Sequence, residues 1–378
     1  MKVVVIGGHL SPALSVIEAL PKEVSILFVG RKYSFEGDKS KSLEYETINS
    51  LKFPFAEITT ARWQRKFTRH TINSLFKFPI GVIQSLFILL RFKPDVVVGF
   101  GGYVSLPVAI SSFILRVPVV IHEQTLEAGF SNRIISVWAS KICISWESSR
   151  SFFPKEKTVL TGNPIRKFEV PASQRGERSM KYEVDKKVPT IYITGGSSGS
   201  HFINKLVEGC IGELLRKFNI IHQIGESKFG DFERLVKLRE TFSFDQRKRY
   251  ILKKFVKPSQ VASILKYCDL AISRSGINTI TELIYFEKPA ILIPLPFSQN
   301  NEQLKNARFL ETFKLGKVLS QNEADSRSLS QMVDLIFDNI KEHKLNESES
   351  AKRQIENAAQ NIVKIVEYVG ETKKVPKL

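Results

Sequence analysis

Short runs of consecutive apolar residues, many of them β-branched, recur along the chain. Each is followed by a glycine or a polar turn and then by a longer stretch with apolar residues at helical spacing. Residues 2–7 (KVVVIG), 24–30 (VSILFVG), 94–100 (PDVVVGF), 117–123 (VPVVIHE) and 141–145 (KICIS) are such runs. A strand that is apolar at successive positions is covered on both faces, which predicts a parallel sheet flanked by helices. The pattern breaks at residues 161–189, a polar segment with prolines, and resumes with TIYITGG, NIIHQIG, DLAISRSG and KPAILIPL. This predicts an α/β protein of two βαβ sheets joined by a polar connector, with the boundary near Gly162 to Arg166. The first domain is set at residues 1–163 and the second at 164–349; a C-terminal helix over about 350–370 is a candidate to pack back on the first.

In open parallel sheets, ligands lie beyond the carboxyl ends of the strands. Glycines gather there, at Gly7-Gly8-His9, at Gly99 to Tyr103 and at Gly195 to Ser200. Exposed N–H groups at the start of a helix favour phosphate at such turns. None of the three matches G-x-G-x-x-G or ends in G-K-[ST], which argues against a dinucleotide dehydrogenase and a nucleotide-hydrolysing P-loop. The pattern points instead to phosphorylated groups bound in both domains.

The chain has 378 residues, enough for two domains, with 43% hydrophobic and 25% charged residues. Its 56 Lys and Arg against 38 Asp and Glu leave a formal charge of +18, which predicts an anionic partner. Nucleic acid, an acidic membrane surface and phosphorylated substrates all qualify. Cys143, Cys210 and Cys268 are far apart and match no ligand or disulfide spacing, so no metal and no cofactor is expected, and a reducing cytoplasm fits. The start is too short and too glycine-broken for a signal peptide. The most apolar stretch, residues 78–92, is shorter than the ~18 residues of a span and contains Gln84 and Ser85.

Taken in order, GFGGYVSLPVA, VVIHEQTLEAGFSNR, TGNPIR, TGGSSGS, HQIG, SRSGINTITEL and NNEQLKNA resemble the MurG-type bacterial glycosyltransferases. These add N-acetylglucosamine to the lipid-linked muramyl-pentapeptide precursor of peptidoglycan. The resemblance implies a GT-B fold, two doubly wound Rossmann-like domains facing across a cleft. It implies UDP-N-acetylglucosamine on the C-terminal domain and a polyprenyl-pyrophosphoryl muramyl-pentapeptide on the N-terminal one. The expected reaction inverts the anomeric carbon, and the expected place is the cytoplasmic face of the cell membrane, as a peripheral protein. A related transferase with another glycolipid or polyprenyl-linked acceptor, or a UDP-sugar-binding protein without turnover, are the alternatives.

A UDP-sugar needs a diphosphate cradle, a grip on the ribose and a wall for uracil. Ser197 and the N–H groups after it suit the diphosphate, with the Arg166 guanidinium as a planar cationic fork; helix capping and an interdomain salt bridge are their competing roles. Gly276 should open a helix with Ile277, Asn278 and Thr279 at its N-terminus. Glu282, one turn on from Thr279, resembles the family's ribose-binding glutamate, although a capping-box role competes. Gln303 resembles the glutamine that orients the sugar hydroxyls, and Phe255 and Val256 lie in the segment resembling the one that meets the base. On the acceptor side the resemblance selects Gly7, Gly8, Gly101, Gly102, Tyr103, Gln124 and Thr125. His9 holds the place of the family's cleft histidine, where a neutral imidazole suits a general base; helix capping and acceptor-phosphate binding remain open. Glu123 is the reserve candidate. The chain departs from the family in a shorter first glycine loop, in Thr125 for an asparagine and in Ser198 for a glutamine.

Between residues 62 and 78, cations interleave with apolar groups: Arg65, Lys66 and Arg69 beside Trp63, Phe67, Ile72, Leu75, Phe76 and Phe78. That mixture suits an anionic leaflet. It would also suit single-stranded nucleic acid, but no nucleic-acid motif accompanies it, so no such partner is expected. Leu86 to Leu90 are expected to be buried against the core.

Overall fold

The computed structural model describes residues 1–33, 40–59, 69–165, 185, 187–196, 198–226, 228–339 and 348–372, with the backbone alone at 69–76, 258, 259, 299 and 348. The chain divides into two compact units, Met1–Arg166 together with Arg353–Leu378, and Lys167–Lys352.

In the first unit the strands are β1 (Lys2–Ile6), β2 (Ser25–Gly30), β3 (Phe55–Glu57), β4 (Val96–Gly99), β5 (Val119–Glu123), β6 (Lys141–Ile144) and β7 (Thr158–Leu160). The helices between them are α1 (Leu10–Ala19), α2 (Leu43–Ser50), α3 (Arg69–Phe92), α4 (Ser105–Ile114) and α5 (Phe130–Ile135). In the second unit come β8 (Thr190–Thr194), α6 (His201–Glu208), α7 (Ile211–Lys217), β9 (Asn219–Gln223), α8 (Asp231–Glu240), α9 (Phe244–Arg249), β10 (Tyr250–Lys253) and α10 (Pro258–Tyr267). They are followed by β11 (Leu270–Ser273), α11 (Ile277–Tyr285), β12 (Ala290–Leu292), α12 (Glu302–Thr312), β13 (Gly316–Val318), α13 (Ser326–Asp338) and α14 (Ser348–Thr372).

The sheet orders are β3-β2-β1-β4-β5-β6-β7 and β10-β9-β8-β11-β12-β13, parallel throughout. Each is doubly wound: the chain runs outward one way from its first strand, then returns and runs the other way. The crevice at that reversal falls between β1 and β4, and between β8 and β11. Register is flush there, with Ile6 opposite Gly99 and Thr194 opposite Ser273. The turns that follow paired strands therefore lie side by side.

Side chains alternate between two cores in the first sheet. Val3, Val5, Val96 and Val98 pack with α1 and with Ile362, Val363, Val366 and Val369 of α14. Val4, Ile6, Val97 and Ile121 pack on the other face with Leu89, Val108 and Ile135 of α3, α4 and α5. The last helix thus covers the first sheet, and Gln354 Nε2 also donates to the Ser145 carbonyl at 3.0 Å.

Where the loop after β8 meets the loop after β9, backbones pack without side chains. A Cβ on Gly199 would lie 2.0 Å from the Ile224 carbonyl oxygen, and one on Gly225 would lie 2.4 Å from the Gly199 Cα. Both glycines have positive φ, +76° and +82°. Gly212 in α7 is different: its Cβ would meet only Phe242 Cε1, at 3.7 Å. Gly199→Ala should therefore destabilise by more than ~1 kcal/mol, whereas Gly212→Ala should stabilise by ~0.5–1 kcal/mol as a helical glycine replaced. Denaturant titration of the two variants, each against the parent, checks the opposite signs.

Candidate active site

The first crevice is built around His9. Gly8 has φ +155°, and a Cβ there would stand 2.2 Å from the Gly101 carbonyl oxygen. The β1 turn therefore packs directly on the β4 turn, and the His9 N–H donates to the Phe100 carbonyl at 3.3 Å. His9 is the N-cap residue of α1 by backbone, but its side chain makes no capping hydrogen bond. Instead the half-buried ring lies against Gly101, whose Cβ would be 3.3 Å from His9 Cδ2. Burial lowers the His9 pKa, outweighing the opposing pull of the Glu123 charge. The imidazole is neutral near pH 7.

Glu123, at the end of β5, is almost wholly buried and fully engaged. One oxygen accepts from the Thr125 N–H at 3.1 Å and hydroxyl at 2.6 Å; the other accepts from the Gly129 N–H at 2.8 Å and Asn132 Nδ2 at 2.9 Å. This carboxylate organises the β5–α5 loop, which is what Thr125 serves by its hydroxyl. Behind it His122 is buried, with Nε2 3.0 Å from Ser145 Oγ and 3.3 Å from the Gly162 carbonyl. Burial pushes His122 down to about 4, so it stays neutral. Gln124 is buried and its Oε1 has no donor among the described residues. Tyr103, at the start of the α4 turn, lies beneath the Arg31 guanidinium at 4.7 Å. The Gly8 N–H, expected to face the acceptor, is taken by Glu44 Oε1 at 2.9 Å.

The second crevice is open where the first is filled. Beside Gly196 (φ +87°) and Gly276, nothing among the described residues stands within 4 Å of where a Cβ would be. Gly276 is the N-cap of α11 and offers no side-chain cap, leaving the N–H groups of Ile277, Asn278 and Thr279 available. α6 differs, because Ser200 Oγ accepts from the Ile203 N–H. Glu282 is one turn into α11, its carboxylate has no hydrogen-bond partner among the described residues, and burial pushes it up to about 7. It lies outside a capping box, whose acid would be at position 279.

Several residues hold this opening in shape. Gln303 Oε1 accepts from the Leu295 N–H at 2.9 Å, and Ser275 Oγ donates to the Gln303 carbonyl at 2.7 Å. Gln223 Nε2 donates to the Gly196 carbonyl at 3.2 Å and its Oε1 accepts from the Tyr192 hydroxyl at 2.7 Å. Arg274, which sequence reasoning missed, donates to the Ile293 carbonyl and to Ser200 Oγ, both at 2.9 Å, so one guanidinium joins the loops after β8, β11 and β12. Its signal was the cation inside SRSG, directly after a buried strand. Phe255 and Val256 follow β10, the phenyl exposed and the valine buried. Arg166, Ser197, Trp63, Arg65, Lys66 and Phe67 lie outside the described residues. Arg69, Ile72, Leu75 and Phe76 are placed by backbone alone, in the first turns of α3.

The expectation for Leu86 to Leu90 is corrected. Leu89 is buried, but Phe87 is 69% exposed and Leu90 54%, and Ile80 and Ile83 extend the stripe at helical spacing. A continuous apolar run wraps the whole helix, while on its covered side Gly81, Ser85 and Leu89 are buried, Ile88 and Phe92 pack against the core, and the Val82 carbonyl accepts from Ser111 Oγ of α4. No described helix is long and apolar enough to cross a membrane.

Residues 6–144 match the glycosyltransferase family 28 N-terminal domain and residues 190–362 its C-terminal domain. Among solved structures, Acinetobacter baumannii MurG superposes with TM-score 0.68 at 24% identity, over 97% of this chain and 99% of that one. Two curated relatives share one name. The protein of Clostridium botulinum (strain Loch Maree / Type A3) is 31% identical over 95% of this chain and 96% of its own. That of Desulfotalea psychrophila is 31% identical over 95% and 93%. Identity of that extent, running through both crevices, means that the chain belongs to the family of UDP-N-acetylglucosamine–N-acetylmuramyl-(pentapeptide) pyrophosphoryl-undecaprenol N-acetylglucosamine transferases.

Proposed function

We propose that the protein transfers N-acetylglucosamine from UDP-N-acetylglucosamine to the 4-hydroxyl of polyprenyl-pyrophosphoryl muramyl-pentapeptide, with inversion, in peptidoglycan synthesis. The observation that carries this reading is the open α11 N-terminus with Glu282 one turn in, unpartnered among the described residues. Uncapped N–H groups receive the donor diphosphate, and the carboxylate accepts from the ribose hydroxyls. As the glycosidic bond breaks, negative charge grows on the diphosphate, where those N–H groups stabilise it, joined by Ser197 and Arg166. Gln303 orients the sugar, and Phe255 and Val256 border the base.

The attacking hydroxyl is far too weak an acid to ionise unaided. His9, neutral and uncommitted to capping, takes its proton as the bond to the anomeric carbon forms. The turn Gly101, Gly102 and Tyr103, with Gln124 and Thr125, frames the acceptor sugar. Glu123 acts as the anion that steadies this loop and supports the imidazolium that forms. The exposed stripe of α3, preceded by the basic and aromatic residues 63–78, rests on the anionic cytoplasmic membrane surface, where the lipid acceptor is anchored. Incubation with UDP-N-acetylglucosamine and lipid-linked muramyl-pentapeptide, read by UDP release and product mass, tests the whole; absence of product ends the reading.

His9→Ala should lower kcat by ~10²–10⁴-fold while UDP binding is kept. Because burial lowers the His9 pKa, the acid limb of the wild-type pH profile should fall below the ordinary histidine value of 6.5. A limb above it would assign the proton to another group.

Glu282 with a carboxyl pKa of about 7 gives a pH dependence of known sign. Ribose hydroxyls donate to the ionised form, so donor affinity should weaken by up to ~10-fold as pH falls from 8 to 6. The pKa is raised above the unfolded value, so its contribution to stability is present at low pH and lost as pH rises through 7. Glu282→Gln should flatten the binding profile in calorimetry with UDP-N-acetylglucosamine. It should also raise Tm at pH 8, by ~2–4 °C for each 1 kcal/mol relieved.

Phe87→Ser combined with Leu90→Ser should weaken sedimentation with anionic vesicles by at least ~10-fold, since each large side chain loses ~1.5–3 kcal/mol of burial. Turnover of a water-soluble acceptor should be unchanged. Equal vesicle binding by the double variant would place the contact elsewhere.

A further inference from the structure

Glu44 stands in the first turn of α2 and reaches back to the turn after β1. Its Oε1 accepts the Gly8 N–H at 2.9 Å. A Cβ on Gly7 would lie 2.8 Å from that oxygen, and one on Gly30 would lie 3.2 Å from Oε2. The carboxylate therefore rests on bare backbone at the carboxyl ends of β1 and β2. Burial raises its pKa, against the smaller opposing pulls of the Arg31 charge and of the N–H groups of Gly8 and Arg31. The same guanidinium lies over the Tyr103 ring.

A backbone N–H at the turn between a parallel strand and its helix, beside the topological switch, is where an open α/β sheet takes a phosphate. In this chain the turn is two glycines long and its N–H already holds an anion. A second anion at the same seat would lose the hydrogen bond and face a like charge.

We propose that Glu44 is a resident anion of the first glycine turn, which fixes Gly8 and excludes a diphosphate from it, so that the acceptor's diphosphate is held elsewhere than at Gly8. Glu44 is then a specificity-determining residue towards the acceptor and a positioning residue for His9, the next residue along. The consequence for the acceptor rests on the transferase reading; the occupancy of the turn does not.

The test is calorimetric titration of the full chain with inorganic pyrophosphate, comparing wild type with Glu44→Gln, Glu44→Ala and Glu46→Gln. Glu46 is an exposed acid on the same helical turn, so its variant makes the same charge change away from the seat. Diphosphate seats in the second unit are common to all four proteins and cancel in the comparison. Glu44→Ala should gain a pyrophosphate site at least ~10-fold tighter than any difference seen for Glu46→Gln. Glu44→Gln, which keeps an oxygen for the Gly8 N–H, should gain at least ~3-fold and decides the matter if the alanine variant fails to fold. Unchanged affinity in Glu44→Gln, or an equal gain in Glu46→Gln, overturns the proposal. Because no sugar donor or lipid is present, this failure is distinct from a failure to transfer N-acetylglucosamine.

Discussion

Both units depend on two turns touching through their backbones. Gly8 against Gly101, and Gly199 against Gly225, are contacts in which any side chain would collide with a main-chain atom that cannot move aside. Peptide groups of adjacent βα turns come closer this way than packed side chains allow. In the first unit the approach brings His9 against the β4 turn; in the second it seats the loop after β8 on the loop after β9. The chemistry of the protein hangs on these turns and on the few polar residues at the carboxyl ends of the strands, His122 and Glu123 of β5 and Gln223 of β9, because the strands are otherwise apolar on both faces.

The two crevices use the same frame to opposite ends. In the first, anions belonging to the chain occupy the donors: Glu44 holds the Gly8 N–H, and Glu123 gathers Thr125, Gly129 and Asn132. In the second, the α11 N-terminus has no side-chain cap and Glu282 has no partner among the described residues, so an ionisable group is held in a poor environment for its charge. Unmet donors beside an unmet acceptor describe a seat waiting for a ligand with both kinds of group, and a nucleoside diphosphate has both. Stability is given up there in favour of binding.

The central strands were legible in the sequence because each carries consecutive apolar residues with no period-2 polar face, and the glycine turns because no other residue stops such a run so abruptly. The edges were less so. β3, β7 and β13 span three residues each, too short to show a period, and β10 begins at the end of a basic helix. α11 was legible, with Gly276 opening it and Glu282 one turn in. Glu44 was not, for its meaning depends on a turn 36 residues earlier in the chain. Arg274 was overlooked for a similar reason: its partners lie on loops after β8 and β12. The misjudged face of α3 has a simpler cause. Five apolar residues in a row carry no moment, and which of them are covered is decided by the width of the neighbouring helix.

The position of α14 bears on how the protein is made. The first sheet is complete in sequence by Leu160, yet one of its faces is covered by Ile362, Val363, Val366 and Val369, more than 180 residues later. On a ribosome, Val3, Val5, Val96 and Val98 have only the part of their cover that α1 supplies until α14 is made. The second unit, contiguous from 167 to 352, has all its strands first. Although it is begun later, it is the unit that can close first during synthesis, and the first unit must wait for α14. A chain that loses its last twenty residues would therefore fail in the domain at its other end.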